Sequence, residues 1–567
     1  MIRPSISSFI LGPGSTDARA IITGIWKSFQ NLPVWPVLNG VPVSISIQLR
    51  RRRLPDTSTR SIFEGGAGYH KMNILFASPE VVPFVKTGGL ADVAGALPQA
   101  LSALGHKVKV VLPLYKSIDK EKFNIRRLSV FAGNQSVQTG SKNYDLDVFT
   151  ASDKASGVEF VLVANDKLFG REGVYLDPES GTDYGDNDER FIFFAKAVLE
   201  AARGIDFRPD IIHANDWQSG MIPGYIATTY SNDPFFKHSR TIFTVHNIGY
   251  QGHFDKETFG KLGLPDSYYS PGSPFEYWDH VNFLKVGITT SDLITTVSET
   301  YASEIQSGNE MGFGMEGILF YRREDLFGVL NGVDYDLWSP ENDNLIPHKY
   351  SANDISGKEL NKKALLDEAG LRINGHRVPL IGTISRLADQ KGFDLIEKIA
   401  NRLFSLDIAF VLLGTGNENY HILFREMEKI FPERVRAFLK FDNRLAHLIE
   451  AGADMFLMPS RYEPCGLNQM YSLKYGTVPV VRKTGGLADT IKDFNMYPLE
   501  GNGFVFEEYE ADRLLDAIQR AILTYKDQAT WKKIMKRGMQ ADFSWDSSAK
   551  KYVRIYEKAL EKEKVTI

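Results

Sequence analysis

The chain has 567 residues, enough for about two to four domains of ordinary size, and 43% of them are hydrophobic while 24% are charged. That composition is typical of globular proteins with large cores. The formal net charge is -4, and basic and acidic residues are mixed along the chain, which argues against a nucleic-acid partner. No apolar stretch approaches the roughly 20 residues that cross a bilayer, so we expect most of the chain to be soluble, with no membrane partner.

The single cysteine, Cys465, excludes an internal disulfide framework and is compatible with a reducing compartment, so we expect a cytoplasmic location. Residues 1–71 differ from the rest, being rich in Ser, Pro and Arg and poor in acids. They fit an organelle leader, which would allow a plastid location, or a non-native or wrongly assigned extension before Met72. We favour the extension, expect it to be disordered and leave it outside the fold.

From Met72 onward, short apolar runs alternate with longer helical patterns. Most of the runs are nearly continuous, as expected for parallel strands that are covered on both faces. A helical pattern, Leu90–Leu104, separates the first two runs, and such repetition predicts a doubly wound parallel sheet. The first series of predicted strands is Asn73–Ser78, Lys107–Pro113, Phe160–Asn165, Ile211–Asn215, Thr241–His246 and Leu293–Ser298.

A second series follows the turn signal Asn331-Gly332 and a polar segment that contains Pro340. Its predicted strands are Pro379–Ile384, Ala409–Leu413, Ala437–Phe441, Met455–Met458 and Val478–Val481. We therefore predict two Rossmann-like α/β domains, residues 72–335 and 336–545, with a ligand site in the cleft between them. The last helical pattern, in residues 546–567, is predicted to pack back on the first domain.

One heptapeptide, Lys-Thr-Gly-Gly-Leu-Ala-Asp, occurs twice, at Lys86–Asp92 and at Lys483–Asp489. Each copy lies between a predicted strand and a helix. Adjacent glycines let a backbone approach a ligand closely, and the amides at a helix start attract phosphate. An isolated Gly-Gly more often makes an ordinary turn, but the repetition in both halves favours two loops that face one anionic ligand.

Two further segments carry charged residues at strand ends. Arg386 and Lys391 follow the strand Pro379–Ile384, where an Arg fork and a Lys can bind a diphosphate, although a solvated basic loop is the simpler interpretation. Glu463, in Glu463–Leu467, can accept hydrogen bonds from sugar hydroxyls. Within that segment Cys465 is more typical of a small packed residue than of a nucleophile, because no His lies near it in the sequence.

Polar and aromatic residues also end two strands of the first series. The segment His246–Gly252 includes Asn247, Tyr250 and Gln251 and resembles a polyol-binding loop. The preceding strand ends in Asp216 and Trp217, and Trp217 either presents its face to a sugar ring or is buried.

Several common motifs are missing. The chain has no GxxxxGK[ST] loop, no HExxH and no paired CxxC, and Gly414-Thr415-Gly416 begins a dinucleotide fingerprint that Asn419 leaves incomplete. A nucleotide kinase or a metalloprotease therefore has no support in the sequence, and we separately expect no metal ion and no prosthetic group.

Together these segments resemble bacterial glycogen synthase and plant starch synthase, in glycosyltransferase family 5. The resemblance runs from about Met72 to the C-terminus, and the form Leu90-Ala91-Asp92 is more similar to bacterial members. It implies the two-domain GT-B fold and a retaining transfer of glucose from a nucleotide-sugar donor to the non-reducing end of an α-1,4-glucan.

The resemblance also implies roles for individual residues. His246 would lie by the anomeric carbon, Arg386 and Lys391 would stabilise the departing diphosphate, and Glu463 would hold the donor glucose. The donor side would further include Lys86, Gly88, Gly89, Phe441, Cys465, Gly466, Thr484, Gly485 and Gly486. The acceptor side would include Asp92, Asp216, Trp217, Asn247, Tyr250 and Gln251.

One departure concerns the nucleotide. Bacterial members often have Tyr at the end of a strand in the second domain, where this chain has Phe441, which can still stack on adenine. The resemblance favours ADP-glucose as the donor and leaves UDP-glucose open. Other open interpretations are a related enzyme with a small sugar acceptor, such as a sucrose- or trehalose-forming transferase, a non-catalytic sugar-binding protein and a phosphorylase.

Overall fold

The computed structural model describes residues 70–131, 135–153, 155–373 and 378–565. The predicted leader, residues 1–71, lies outside the described residues except for His70 and Lys71. Within the described part of the chain, every helix is too short or too polar to span a bilayer.

The first domain is built around a nine-stranded sheet. Its strands and two small hairpins are β1 Asn73–Ala77, β2 Lys107–Pro113, β3 Arg126–Arg127, β4 Ser136–Thr139, β5 Lys142–Asp145, β6 Asp147–Ser152, β7 Glu159–Ala164, β8 Ile211–Asn215, β9 Arg240–Val245, β10 His253–Asp255, β11 His280–Asn282, β12 Leu293–Thr296 and β13 Leu326–Gly328. The order in the large sheet is β13-β12-β9-β8-β1-β2-β7-β6-β3. All pairs from β13 to β7 are parallel, and β6 and β3 extend the edge in antiparallel fashion.

Helices cover this sheet because its central strands are apolar on both faces. Every residue of β8 is buried, and in β2 only the first residue, Lys107, is exposed. The helices of the first domain are Gly89–Ala103, Asp166–Phe169, Asn187–Gly204, Met221–Ala227, Thr258–Leu262, Phe283–Thr290, Glu299–Glu304, Asn309–Gly312 and Glu316–Tyr321, with 3-10 turns at Ser129–Phe131, Trp217–Ser219, Asp266–Tyr268 and Arg323–Asp325.

The second domain has a six-stranded, fully parallel sheet. Its strands are β14 Leu380–Ile384, β15 Ala409–Leu413, β16 Val435–Phe438, β17 Met455–Met458, β18 Val478–Arg482 and β19 Phe504–Phe506, in the order β16-β15-β14-β17-β18-β19. The helices are Ser356–Ala369, Phe393–Phe404, Glu418–Ile430, Asn443–Gly452, Asn468–Lys474, Gly485–Thr490, Ala511–Tyr525 and Gln528–Gln540, with a 3-10 turn at Asp389–Lys391. The predicted domain boundary at residue 335 lies between the two sheets.

One predicted strand is shifted. The run expected at Ala437–Phe441 forms a strand over Val435–Phe438, so Phe441 lies in the loop beyond it, with 86% of its surface exposed. This strand is at the sheet edge, where only its first residue is buried. The apolar pattern is therefore weak there, which explains why the strand was predicted too late in the sequence.

The last helix, Trp545–Glu561, packs against the first domain, contacting helix Gly89–Ala103 and strand β9. A buried hydrogen bond joins Tyr556 Oη to Nδ1 of His213, at 2.8 Å. The His213 Nε2 atom lies 2.6 Å from Thr244 Oγ1 in β9. The end of the chain thus becomes part of the core of the first domain.

Candidate active site

The first Gly-Gly loop follows the carboxyl end of β1 and opens helix Gly89–Ala103, with Gly88 at the N-cap. A Cβ atom added to Gly88 would have no neighbour within 4 Å, and one added to Gly89 would meet Leu467 Cδ1 of the second domain at 4.0 Å. The two glycines therefore border open space beside the segment Glu463–Leu467. This is the geometry that close approach of a ligand to the backbone requires.

A buried glutamate holds this loop in place. Glu80 is 4% exposed, and its carboxylate accepts hydrogen bonds from Thr87 Oγ1 at 2.7 Å and from the Gly88 N–H at 3.1 Å. The Thr87 N–H and the Tyr175 hydroxyl donate to the same carboxylate. Four donors offset the cost of burying the charge. Glu80 was not predicted from the sequence, because no sequence pattern marks a glutamate that acts through the folded loop.

Lys86 and Asp92, predicted on opposite sides of the ligand, form an ion pair with a distance of 2.7 Å. Burial raises the pKa of Asp92 above its usual value even though Lys86 lowers it. The lysine side chain is 52% exposed, so the pair is weak and Lys86 can exchange Asp92 for a phosphate at little cost.

The ends of β8 and β9 bring Asn215, Asp216 and His246 together. The Asp216 carboxylate accepts the His246 N–H at 2.7 Å, and His246 Nε2 lies 3.0 Å from Asn215 Oδ1. Burial lowers the pKa of His246 to about 3 and raises the pKa of Asp216 to about 7. His246 is therefore a neutral imidazole at physiological pH. Asp216 also has a φ of 55°, an uncommon backbone conformation that is often found at functional sites.

Trp217 is a core residue. It is 9% exposed, and its ring lies 5.0 Å from Phe191 and 5.7 Å from Phe254, measured between centroids. A Cβ atom added to Gly252 would lie 2.3 Å from the indole, so this glycine covers the ring face. The predicted acceptor-side platform is thus corrected to a packing role, because the face that a sugar would need is already covered.

The loop His246–Gly252 faces the second domain. The Tyr250 hydroxyl is 3.5 Å from Arg386 Nη1, and the Tyr462 hydroxyl is 3.3 Å from the Cβ position of Gly249. Tyr250 is 53% exposed, so its ring is accessible from the cleft. The first domain thus contributes Tyr250, and the second domain Arg386, to one region.

Two amide side chains in this loop act within the protein. Asn247 Oδ1 accepts the Gly249 N–H at 3.0 Å. Gln251 Oε1 accepts a hydrogen bond from Asn282 at 2.8 Å, and its Nε2 donates to two backbone carbonyls at 3.0 and 3.1 Å. Gln251 therefore shapes the loop, and its predicted acceptor contact stays a prediction, which would use the second lone pair of Oε1.

Lys391 and Glu463 form the central charged pair of the second domain. Lys391 Nζ lies 2.6 Å from Glu463 Oε2, and Ser460 Oγ donates to the same oxygen at 3.0 Å. Both side chains are largely buried, with 18% and 8% of their surfaces exposed. An ion pair with so little water around it interacts strongly with any charge placed beside it. The turn Asp389–Lys391 and the loop after β17 supply the two residues.

The amides of the second heptapeptide all donate within the protein. The Thr484 N–H donates to a carbonyl in its own turn, and the Gly486 N–H donates to the Glu463 carbonyl at 3.1 Å. The Gly485 N–H donates to the carboxylate of Glu304, at 3.0 and 3.1 Å from its oxygens. The predicted contacts of these amides with the donor would therefore require the present hydrogen bonds to be exchanged.

Close packing explains the glycines of this second copy. A Cβ atom added to Gly485 would lie 2.0 Å from the Glu463 carbonyl oxygen, and one added to Gly486 would lie 2.0 Å from the Cys465 carbonyl oxygen. No larger residue fits there. The second copy thus positions the segment that carries Glu463.

The remaining residues predicted on the donor side differ in how deeply they are buried. Cys465 is 5% exposed, and burial raises the pKa of its thiol to about 12, so it is a packed residue and not a nucleophile. Gly466 has a φ of 67°, which favours glycine in the turn. Phe441, in its exposed loop, stays a predicted adenine contact.

Comparisons with known proteins agree with this architecture. Two family models match the chain, a starch synthase catalytic domain over residues 73–320 and the glycosyl transferases group 1 over residues 372–537. A glycogen synthase from Koribacter versatilis is 46% identical over 86% of this chain and 98% of its own length. A glycogen synthase from Thermotoga maritima is 45% identical over 87% of this chain and 99% of its own length.

Solved structures show the same fold. The catalytic domain of starch synthase IV from Arabidopsis thaliana, bound to ADP and acarbose, has a TM-score of 0.79 and 33% identity, covering 87% of this chain and all of that one. A sucrose-phosphate synthase from Thermosynechococcus elongatus, 16% identical with a TM-score of 0.53, shares the fold alone over 87% of this chain. The chain has the GT-B fold and belongs to the glycogen and starch synthase family of glycosyltransferases.

Proposed function

We propose that this glycosyltransferase moves glucose from ADP-glucose to the non-reducing end of an α-1,4-glucan, with retention of configuration and release of ADP. The observation that carries the proposal is the position of the Lys391–Glu463 pair. The segment that follows Glu463 reaches the open Gly88-Gly89 loop, with Leu467 4.0 Å from the Cβ position of Gly89. A donor bound there would touch both domains.

Charge development explains why basic residues are placed at this point. Breaking the glycosyl–phosphate bond builds positive charge on the sugar and negative charge on the diphosphate. Arg386 and Lys391 would stabilise the diphosphate, and Lys391 is already held in place by Glu463, which would limit reorganisation during the reaction. Lys86, in its weak pair with Asp92, would add a third cation from the first domain.

The sugar would lie between Glu463 and the ends of β8 and β9. Glu463 already accepts hydrogen bonds from Lys391 and Ser460 on one oxygen, which leaves its other oxygen for glucose hydroxyls. We assign it to holding the sugar and not to attack on the anomeric carbon, because the neighbouring cation reduces its nucleophilicity. Retention would then follow from attack on the same face as the departing diphosphate.

His246 would lie near the anomeric carbon as a neutral hydrogen-bonding group, since burial keeps its pKa at about 3. Asp216 fixes the backbone of His246 and, with a pKa of about 7, changes its charge near neutral pH. Together they would orient the sugar and the incoming hydroxyl of the glucan.

The choice of ADP-glucose rests on the relatives. The starch synthase IV structure holds ADP, the product that ADP-glucose would leave after transfer, and acarbose. We further propose that the reaction needs no metal ion and occurs in the cytoplasm, with no nucleic-acid or membrane partner. Activity that EDTA abolishes and added metal restores would contradict a metal-free reaction. Sedimentation of the protein with membranes would contradict the absence of a membrane partner.

The acceptor is tested by offering the enzyme ADP-[14C]glucose with glycogen, fructose or glucose phosphate. We expect label in glycogen and none in the small sugars. Transfer to fructose or glucose phosphate alone would support a small-acceptor enzyme instead, and donor binding without any turnover would support a binding protein. A phosphorylase would release glucose 1-phosphate from glycogen and show pyridoxal phosphate absorbance.

A further inference from the structure

Helix Glu299–Glu304 of the first domain lies against helix Gly485–Thr490 of the second. At the end of the first helix, the Glu304 carboxylate accepts the Thr484 hydroxyl at 3.0 Å and the Gly485 N–H at 3.0 Å. Thr484 is completely buried, so its hydroxyl has no access to water in this arrangement. The glutamate thus binds the start of the second heptapeptide from across the cleft.

The same two helices make the reverse contact. Asp489, the last residue of the second heptapeptide, accepts the Thr300 N–H at 3.1 Å and the Thr300 hydroxyl at 2.5 Å. Each domain therefore supplies one carboxylate and one threonine. Both carboxylates are satisfied by a hydroxyl and an amide of the other domain, and hydrogen bonds to a charged group are stronger than neutral ones.

The first heptapeptide shows that this pairing is a property of the motif. Glu80 accepts the Thr87 hydroxyl and the Gly88 N–H, the same two groups that Glu304 accepts at Thr484 and Gly485. Glu80 belongs to the same domain as its loop, so its hydrogen bonds persist whether the two domains are close together or apart. The bonds of Glu304 exist only while the two domains are close together.

The second heptapeptide also controls the catalytic segment. The backbone at Gly485 packs on the Glu463 carbonyl, and the Gly486 N–H donates to that carbonyl at 3.1 Å. Contact with Glu304 is therefore transmitted through two glycines to the residue that holds the donor glucose in the proposed function.

We propose that Glu304 and Asp489 form an interdomain latch with Thr484, Gly485 and Thr300, and that both carboxylates are positioning residues for glucosyl transfer. The latch holds the domains closed and fixes the Glu463 segment opposite the Gly88-Gly89 loop. The second heptapeptide serves closure, whereas the first serves the ligand. The kinetic consequence rests on the proposed function, but the conformational one does not.

The conformational test uses the full chain without ligand. Glu304→Gln and Asp489→Asn each replace a charged acceptor by a neutral one of similar shape. We expect both variants to keep the thermal unfolding midpoint of the wild type within a few degrees and to show a larger radius of gyration by small-angle X-ray scattering. Glu299→Gln, an exposed change in the same helix, and Glu80→Gln, at the intradomain pair, should leave the radius unchanged.

The kinetic test measures the KM for ADP-glucose and kcat. Weaker closure lowers the fraction of competent enzyme, so the KM of each latch variant should rise about threefold to tenfold. Bound donor restores closure, so kcat should stay within about twofold of the wild-type value. The double variant should show less than the product of the two single effects, because the two contacts hold the same pair of helices together.

Scattering profiles and KM values equal to those of the wild type in both variants would overturn the latch, as would a KM increase of the same size in Glu299→Gln. If the wild type itself transfers no glucose, the proposed function fails while the scattering comparison still decides whether the latch exists.

Discussion

At the residue scale, Gly88 and Gly485 occupy the same position of the repeated heptapeptide in different surroundings. Gly88 has an extended backbone and no atom within 4 Å of its Cβ position. Gly485 has a φ of 43° and a carbonyl oxygen 2.0 Å from its Cβ position. The first glycine therefore leaves space that a ligand can use, and the second allows two segments of the protein to touch.

Alanine substitutions separate these two reasons. Gly88→Ala should leave the thermal unfolding midpoint unchanged and lower kcat/KM for ADP-glucose at least about tenfold, because the methyl group occupies ligand space. Gly485→Ala should destabilise the protein by about 1–3 kcal/mol, because the methyl group meets the Glu463 carbonyl. Thermal melts and initial rates give both quantities. A destabilised Gly88→Ala with normal kinetics would contradict the assignment.

Lys391 is predicted to act on the transition state. Lys391→Ala should lower kcat on the order of 100- to 1,000-fold with little change in the KM for the donor, by analogy with the loss of an oxyanion-hole donor. Lys398→Ala is the matched control, because Lys398 makes only an exposed pair with Asp394, at 3.1 Å. A large rise in KM with normal kcat would show that Lys391 serves ground-state binding instead.

At the element scale, the apolar pattern predicted the central strands well. β1, β2, β8 and β17 lie where continuous apolar runs predicted them, since both of their faces are buried. The pattern failed at the edges. β6 is only partly buried and has no continuous apolar run, so it was not predicted. Only the first residue of β16 is buried, and this strand was predicted too late in the chain.

The placement of several candidate site residues was predictable, because parallel strands direct their carboxyl ends to one edge of the sheet. Arg386, Lys391, Glu463 and His246 lie at such ends. The partner of the second heptapeptide was not predictable, because Glu304 and Gly485 are 181 positions apart in the sequence. The burial of Trp217 depends on side-chain direction, which a motif does not specify.

Buried histidines behind the site predict how stability depends on pH. Burial lowers the pKa of His213 and of His246 to about 3, from about 6.5 in an unfolded chain. Only the unfolded state binds these protons between those values, so stability is full above pH 6.5 and falls as the pH decreases. Each histidine should cost about 2 kcal/mol between pH 6.5 and pH 5.

Thermal unfolding of the wild type and of His213→Gln at pH 7 and pH 5 measures this effect. The variant should be less stable at pH 7, because it loses the fit to Tyr556 and Thr244, but its midpoint should decrease less on acidification. An equal decrease in both proteins would show that His213 does not contribute to acid sensitivity.

At the scale of the whole molecule, the last helix connects the end of the chain to the first domain. Tyr556 is fully buried against that domain and hydrogen-bonds His213 at 2.8 Å. Tyr556→Phe should cost about 1 kcal/mol, for one hydrogen bond, and Tyr556→Ala about 3–5 kcal/mol, for the lost ring and the cavity. Thermal melts at pH 7 distinguish the two. Equal effects would show that the ring contributes nothing beyond its hydroxyl.

The domains meet at several points around the cleft. Arg386 approaches Tyr250, Leu467 approaches Gly89 and Glu304 binds the second heptapeptide. The predicted donor-side and acceptor-side residues therefore come from both domains. Transfer from a nucleotide-sugar to a glucan is the activity that this arrangement fits.

The most direct test of this account is the incorporation of labelled glucose into glycogen from ADP-glucose and from UDP-glucose, by the wild type and by Lys391→Ala. We predict rapid incorporation from ADP-glucose, much slower incorporation from UDP-glucose and a loss of the ADP-glucose activity in the variant. Incorporation from UDP-glucose alone would contradict the donor assignment. Equal rates for the two proteins would contradict the site on which the account depends.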